Sequence, residues 1–241
     1  MSGPETPMST MTVHRLGAEI DLDEQVSWCP PGVRASQLVS CYLIIGDAGA
    51  LLVDTGIRVH EREVLDALGG LYDGRVPLSV LLTRTEMECC LNLPAIEARF
   101  PIDAVWYTGG ITVPRSRAEV RRVSVEPGTS QWIEPHPGMR IELISPMMRL
   151  LPTLWVYEPE TGTLLTSDAF TQGDGPPENG LAKFRWFTRA DTGDIAAHVR
   201  SVVGERRISL IGPGYGRPFE GEEVAAQSAA LAAAIERIGL S

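Results

Sequence analysis

Alternating strand-like and helix-period segments make this an α/β chain, and three stretches carry that expectation. From Val39 to Tyr107 the residues read as hairpin, crossover helix, strand, short helix and strand, the rhythm of a βαβ unit. A second hairpin signal spans Leu154 to Thr166. At least four of the expected strands end on polar residues that an open α/β architecture gathers into one site: Asp54, the loop 84–89, Asp168 and Tyr215. With 241 residues and 44% apolar content, a single domain over residues 13–241 is expected.

Residues 1–12 are rich in Ser, Thr, Pro and Met without periodicity and are expected to form a disordered tail. In VSCYLIIGDAGALLVDTG, two apolar runs flank Gly46-Asp47-Ala48-Gly49, which predicts strand, tight turn and strand ending on Asp54-Thr55-Gly56. Val64, Leu65, Leu68 and Leu71 share a helical face, with Gly69-Gly70 as the expected stop. Leu78–Thr83 reads as a buried strand. The polar loop Arg84–Cys90 follows, and then a helix from Asn92 with Pro94 in its first turn, where a missing N–H costs little.

Ile102–Tyr107 is the next strand. Val123–Val125, Trp132–Glu134 and Met139–Ile144 are short strand-like runs between Pro and Gly residues, and Ser145–Thr153 is a loop flanked by prolines. The second hairpin turns at Pro159-Glu160-Thr161-Gly162. Residues 171–182, with Gly173, Gly175, Pro176 and Pro177, are expected to be mobile. Phe184, Trp186 and Phe187 are expected to serve core or interface. Asp191 or Thr192 caps a helix through Ile195, Val199 and Val202; Arg207–Ile211 is a strand; Glu220–Ile238 is an Ala-rich amphipathic helix.

A net charge of −10 offers no dense cationic surface for phosphates, so nucleic acid is not an expected partner. No apolar run approaches the roughly 18 residues that cross a membrane. The opening residues lack the pattern of a secretory signal, which leaves the cytoplasm as the expected location. Cys29, Cys41, Cys89 and Cys90 show no metal-ligand spacing and read as free thiols.

The segments LLTRTEMECCLNLPAI, LLTSDAF and GPGYGRPF, with CYLIIGDAGALLVDTG before them, resemble the metallo-β-lactamase fold and, within it, the diiron domain of flavodiiron proteins. The resemblance covers nearly everything from Val39 onward and implies an αββα sandwich without the flavodoxin portion that carries FMN. It also implies an oxidoreductase-like ancestry, a site at the strand ends and a homodimer. That family has an HxExDH loop; here Arg84 stands at its first His, Glu86 matches its Glu, Glu88 replaces its Asp and Cys89 its second His. Asp168 matches the bridging Asp, Tyr215 replaces the final His, and Arg149 or Leu150 falls at the third. None of His14, His60, His136 and His198 lies at a ligand position.

Two metals need more imidazoles and carboxylates than this set supplies. A guanidinium, planar and permanently charged, can instead satisfy converging carboxylates. The expected site is therefore Arg84, Glu86, Glu88, Cys89, Asp168 and Tyr215, holding no cofactor and binding a small molecule in the pocket where the family holds its metals. The alternative is an oxidoreductase or hydrolase with one ion, iron or zinc, on Glu86, Glu88 and Asp168. Cys89 is expected to be an inert buried thiol rather than a nucleophile, Tyr215 either a loop anchor or a hydrogen-bond donor, and Asp54 a structural acid bonded to backbone amides.

Overall fold

The computed structural model describes residues 11–22, 34–110, 112–148, 152–170, 181 and 189–240. The first sheet runs in the order β1 (Thr12–Leu22), β2 (Ala35–Ile45), β3 (Ala50–Val53), β4 (Leu78–Leu82), β5 (Ile102–Thr108), β6 (Glu119–Val123). Its first three strands pair antiparallel and β3 to β6 pair parallel. The second sheet contains β7 (Ser130–Ile133), β8 (Ile141–Ile144), β9 (Trp155–Glu158), β10 (Thr163–Ser167), β11 (Leu210–Pro213) and β12 (Phe219–Glu220), with only β10 and β11 parallel.

Side-chain alternation assigns each strand face to a layer. Tyr42, Ile44, Leu51, Val53 and Leu81 from the first sheet meet Ile141, Leu143, Val156 and Leu165 from the second in one core between the sheets. The opposite face of the first sheet, with Leu43, Leu52, Val80 and Leu82, is covered by α1 (Glu61–Leu71) and α3 (Leu93–Arg99) through Val64, Leu68, Leu93 and Ile96. The outer face of the second sheet, with Ile144, Trp155 and Leu164, packs on α4 (Gly193–Gly204) and α5 (Glu222–Leu240). The result is the helix–sheet–sheet–helix order of an αββα sandwich.

Because β3, β4 and β5 run the same way, the residues that follow them collect along one edge. The second sheet brings its own strand ends to that edge: Gly214 N–H donates to Ser167 O (2.6 Å), Ser40 N–H to Gly214 O (2.8 Å), and Leu154 N–H to Thr83 O (3.0 Å).

Several expectations change. Met11 is buried and β1 starts at Thr12, so the ordered chain reaches further back than the expected tail boundary. β1 alternates weakly because its outer positions face solvent, which hides the strand from a period-2 search. α1 ends at Leu71, one residue past Gly69-Gly70, and closes its last turn with Tyr72 N–H on Leu68 O (2.8 Å). Gly69 permits close approach: an added Cβ would lie 3.1 Å from the Arg99 guanidinium on α3. The strand at 123–125 occurs earlier, as β6, and the final strand later, as β11. Thr192 is the N-cap residue of α4, yet its hydroxyl donates to Ile235 O in α5 (2.7 Å) rather than capping. The expectations for 171–180, Cys29 and the aromatic cluster 184–187 lie outside the described residues.

One ion pair is nearly buried outside the strand-end edge. Arg206, just past α4, holds Glu142 of β8 by two bonds, Nε to Oε2 at 2.8 Å and Nη2 to Oε1 at 2.7 Å. Burial raises the Glu142 pKa, but the bonds from Arg206 and Ser130 outweigh it and hold the carboxyl below its usual range. The stability it supplies is present at neutral pH and lost as pH falls below the ordinary glutamate range. Arg206→Leu, which strands the carboxylate, is expected to cost about 3 kcal/mol in urea unfolding at pH 7 and visibly less at pH 4; an equal cost at both would show that the pair does not hold the helix to the sheet.

Candidate functional site

The edge is built from the residue after β3. Asp54 sits at φ +61, in the left-handed region that non-glycine residues seldom occupy. Its carboxylate is fully used there. Thr83 N–H donates to Oδ1 at 2.8 Å and Thr83 Oγ1 to Oδ2 at 2.8 Å, so the end of β3 clamps the end of β4. Thr83 Oγ1 also lies 3.2 Å from Ser167 Oγ and 3.6 Å from Cys89 Sγ. Ser167, ending β10, is likewise left-handed at φ +53. Two backbone-strained positions thus flank one threonine hydroxyl.

Arg84 follows immediately. Its side chain is 3% exposed and its Nη1 donates to Asp168 Oδ2 at 2.8 Å and, more weakly, to Glu86 Oε2 at 3.4 Å. The pair joins the first sheet to the second, since Arg84 leaves β4 and Asp168 leaves β10. Glu86 is the accessible member, with a side chain 28% exposed.

The loop then curls into α2 (Met87–Cys90), a single helical turn where an irregular loop was expected. Cys89 N–H and Cys90 N–H both donate to Glu86 O, at 3.1 and 3.2 Å. Thr55 fastens the turn from below by giving its N–H (2.8 Å) and Oγ1 (2.9 Å) to Cys89 O. Asn92, fully buried, donates its amide to Thr55 O and Ile57 O, both at 2.9 Å. The Cys89 and Asn92 end of this stretch is therefore held by Thr55 and Ile57.

The structure brings Arg84, Glu86, Cys89, Asp168 and Asp54 into one cluster. Cys89 is 1% exposed, in hydrogen-bond contact with Asp54 and Thr83, which is the environment of an inert thiol. Tyr215 is buried against Val39 and Ile57, and its backbone bridges to Val39, so it anchors the last loop to β2. The side chain of Glu88 and both candidates for the third position, Arg149 and Leu150, lie outside the described residues. The histidines sit elsewhere: Nε2 of His60, His136 and His198 contacts the carbonyl of Glu19, Ala50 and Ser145 respectively. Thr83, Thr55, Asn92 and Ser167 escaped the sequence reading. A polar residue at the last inward position of an apolar strand, as at Thr83, is the signal that would have found the first.

Burial pushes the Asp54 carboxyl up to about 6, against the opposing bonds from Thr83 and the charge of Arg84. Among the described residues, no group of three or more His, Cys, Asp or Glu is arranged to hold a metal ion.

No protein-family model and no curated protein matches this chain. Solved structures do. A putative diflavin flavoprotein fragment from Nostoc sp. PCC 7120 superposes with a TM-score of 0.62 at 14% identity, covering 85% of this chain and 84% of that one. A chemotaxis sensor, ODP, captured as a peroxy diiron species, gives 0.61 at 16% identity over 80% and 86%. A metallo-β-lactamase from Pontibacter korlensis gives 0.58 at 14% identity over 83% and 89%. This chain has the metallo-β-lactamase fold. Among the described residues the donor set does not fit a two-metal centre, because a guanidinium nitrogen is bonded to Asp168 and would repel a further cation.

An acid whose pKa folding raises binds its proton more tightly in the native chain, so ionised Asp54 weighs against the fold above about pH 6 and the penalty vanishes below about pH 4. Relative to Asp54→Asn, the wild type is expected to gain roughly 2–3 kcal/mol as pH falls from 7 to 4; a pH-independent difference in paired denaturation curves would contradict this. Arg84→Ala, which strands Asp168, is expected to cost about 3 kcal/mol. Unchanged thermal stability would exclude the buried pairing.

Proposed function

We propose that this metallo-β-lactamase-fold chain works without a metal, with the Arg84–Asp168 pair in the position of the centre, and that it binds a small molecule at the same edge. The observation that carries the reading is the 2.8 Å bond from Arg84 to Asp168 between two side chains almost closed to water. A carboxylate satisfied by a buried guanidinium is a poor ligand, since a divalent ion must first break that pair and then sit beside a fixed positive charge.

The ligand does not enter the old centre. Arg84, Cys89, Asp168 and Tyr215 are each at most 5% exposed, which closes the described floor. It meets instead the half-buried pair Thr85 and Glu86 above that floor. Glu86 there offers a carboxylate backed by Arg84, an acceptor suited to hydroxyl or ammonium groups.

Protein purified from cells grown with added iron, zinc and manganese is expected to carry well under one equivalent of any of them; one or two tightly held equivalents by elemental analysis would refute the metal-free reading. Glu86→Ala is expected to abolish the thermal shifts that the wild type shows in a library of neutral and amine-bearing metabolites. A library that shifts neither protein would refute the binding reading.

A further inference from the structure

We infer that β6 and the loop before it form a docking strip for an extended acidic segment of another protein, which joins the first sheet as an added strand. β6 is the last strand of its sheet and pairs with β5 alone among the described residues. Nothing else described bonds to the backbone of Glu119–Val123, so the N–H and C=O groups on its outer side are open to a further strand. The strip does not depend on a small molecule being held at Glu86.

Charge selects the segment that fits. Residues 112–122 hold Arg115, Arg117, Arg121 and Arg122 against one acid, Glu119, in a chain whose net charge is −10. Glu119 is already bonded to Arg121, at 2.6 Å, and that guanidinium lies over the Trp106 ring. Arg115, Arg117 and Arg122 are exposed, and their guanidinium groups make no ion pair or hydrogen bond among the described residues. By contrast Arg58, Arg75, Arg99, Arg200 and Arg217 each hold a carboxylate within 3.1 Å. Where carboxylates are in such excess, three free guanidinium groups gathered at one edge strand suit carboxylates supplied by a partner.

The loop that carries these charges is set in advance. Glu97 of α3 accepts from Ser116 Oγ and from Arg117 N–H (3.1 Å), Ser116 Oγ accepts from Ala118 N–H (2.9 Å), and Thr112 Oγ1 donates to Thr85 O (3.5 Å). A loop already ordered gives up little freedom on binding, and its Val113, 65% exposed, adds an apolar contact. Ala118 and Val120 pack on the helix side of the sheet, so alternation puts Arg122 on that face and Glu119 and Arg121 on the other. An added strand with acidic residues at alternate positions sets a row of carboxylates beside Arg122, while its main-chain bonds to β6 supply affinity. A nucleic acid lacks the backbone amides for that ladder, and the acidic remainder of the chain repels a long polyanion.

Fluorescence anisotropy with the full chain and a labelled peptide of alternating Glu and Val, about eight residues long, is expected to show binding that weakens about tenfold between roughly 50 and 300 mM salt. The same peptide N-methylated at alternate residues keeps its charge but loses its ladder donors, and it is expected to bind about tenfold more weakly, as is a Lys–Val peptide. Arg115→Glu, Arg117→Glu and Arg122→Glu are each expected to lower affinity about fivefold, and Arg75→Glu, away from the strip, to leave it unchanged. No binding of the Glu–Val peptide, equal binding of its N-methylated form, three strip variants that bind as the wild type does, or an equal loss in Arg75→Glu would each overturn the proposal. So would a single-stranded oligonucleotide of the same charge that binds as tightly. Should a variant fail to fold, the peptide comparisons on the wild type decide the question by themselves.

Discussion

Everything at the working edge depends on the hydroxyl and amide of Thr83 being held by the carboxylate of Asp54. That carboxylate sets the end of β3 against the end of β4, fixes where Arg84 leaves the strand, and through the contact with Ser167 brings the second sheet's β10 into register with the first. Arg84 can then reach Asp168 with its guanidinium at bonding distance. Asp54 and Ser167 adopt left-handed backbone at a cost on the order of 1 kcal/mol each, and each strain places a polar group where the clamp needs it.

The electrostatics of the edge follow from a shortage of positive charge. Among the described residues, Asp54, Asp168 and Glu86 lie near one cation, Arg84. Arg84 spends its described bonds on Asp168 and Glu86, and Asp54 receives only its longer-range field together with neutral donors. Desolvation therefore wins at Asp54, whose pKa rises to about 6. The acid that organises the edge thus holds its charge poorly there, and its geometry survives protonation because a neutral carboxyl still accepts from Thr83 N–H, though less strongly than a carboxylate.

Much of this was visible in the residues themselves. Both hairpins, the strand at 78–83 and the helix opened by Pro94 follow from apolar runs and turn residues that tertiary packing reinforces. So does the frame of the strand-end loops. β1 was missed and β6 misplaced because edge strands expose one side and blur the alternation that marks buried ones. Gly69-Gly70 marked the end of α1 to within a residue, but the close approach of α3 that Gly69 permits is a fact of packing that spacing does not record. The roles of Thr55, Thr83 and Asn92 were illegible for another reason: threonine and asparagine at strand and helix ends are common, and only three-dimensional convergence shows that these three hold one loop.

The identity of the residue at position 84 then decides what kind of chemistry the edge can host. A divalent ion and a guanidinium both neutralise carboxylates, but they differ in what remains available. An ion keeps open coordination positions for water or substrate, and the protein can polarise a bond through it. A guanidinium presents donors in one plane, and Arg84 aims its described bonds at Asp168 and Glu86 from a buried position. It stabilises the two sheets against each other and leaves little to offer a reacting group. Of the described site carboxylates, Glu86 is the most accessible, and its charge is partly balanced from behind by Arg84, which is why the proposed reading assigns it to ligand recognition. On the metal-free reading proposed above, the Asp54–Thr83 clamp and the loop it positions carry a group that braces the two sheets where a metal ion would activate.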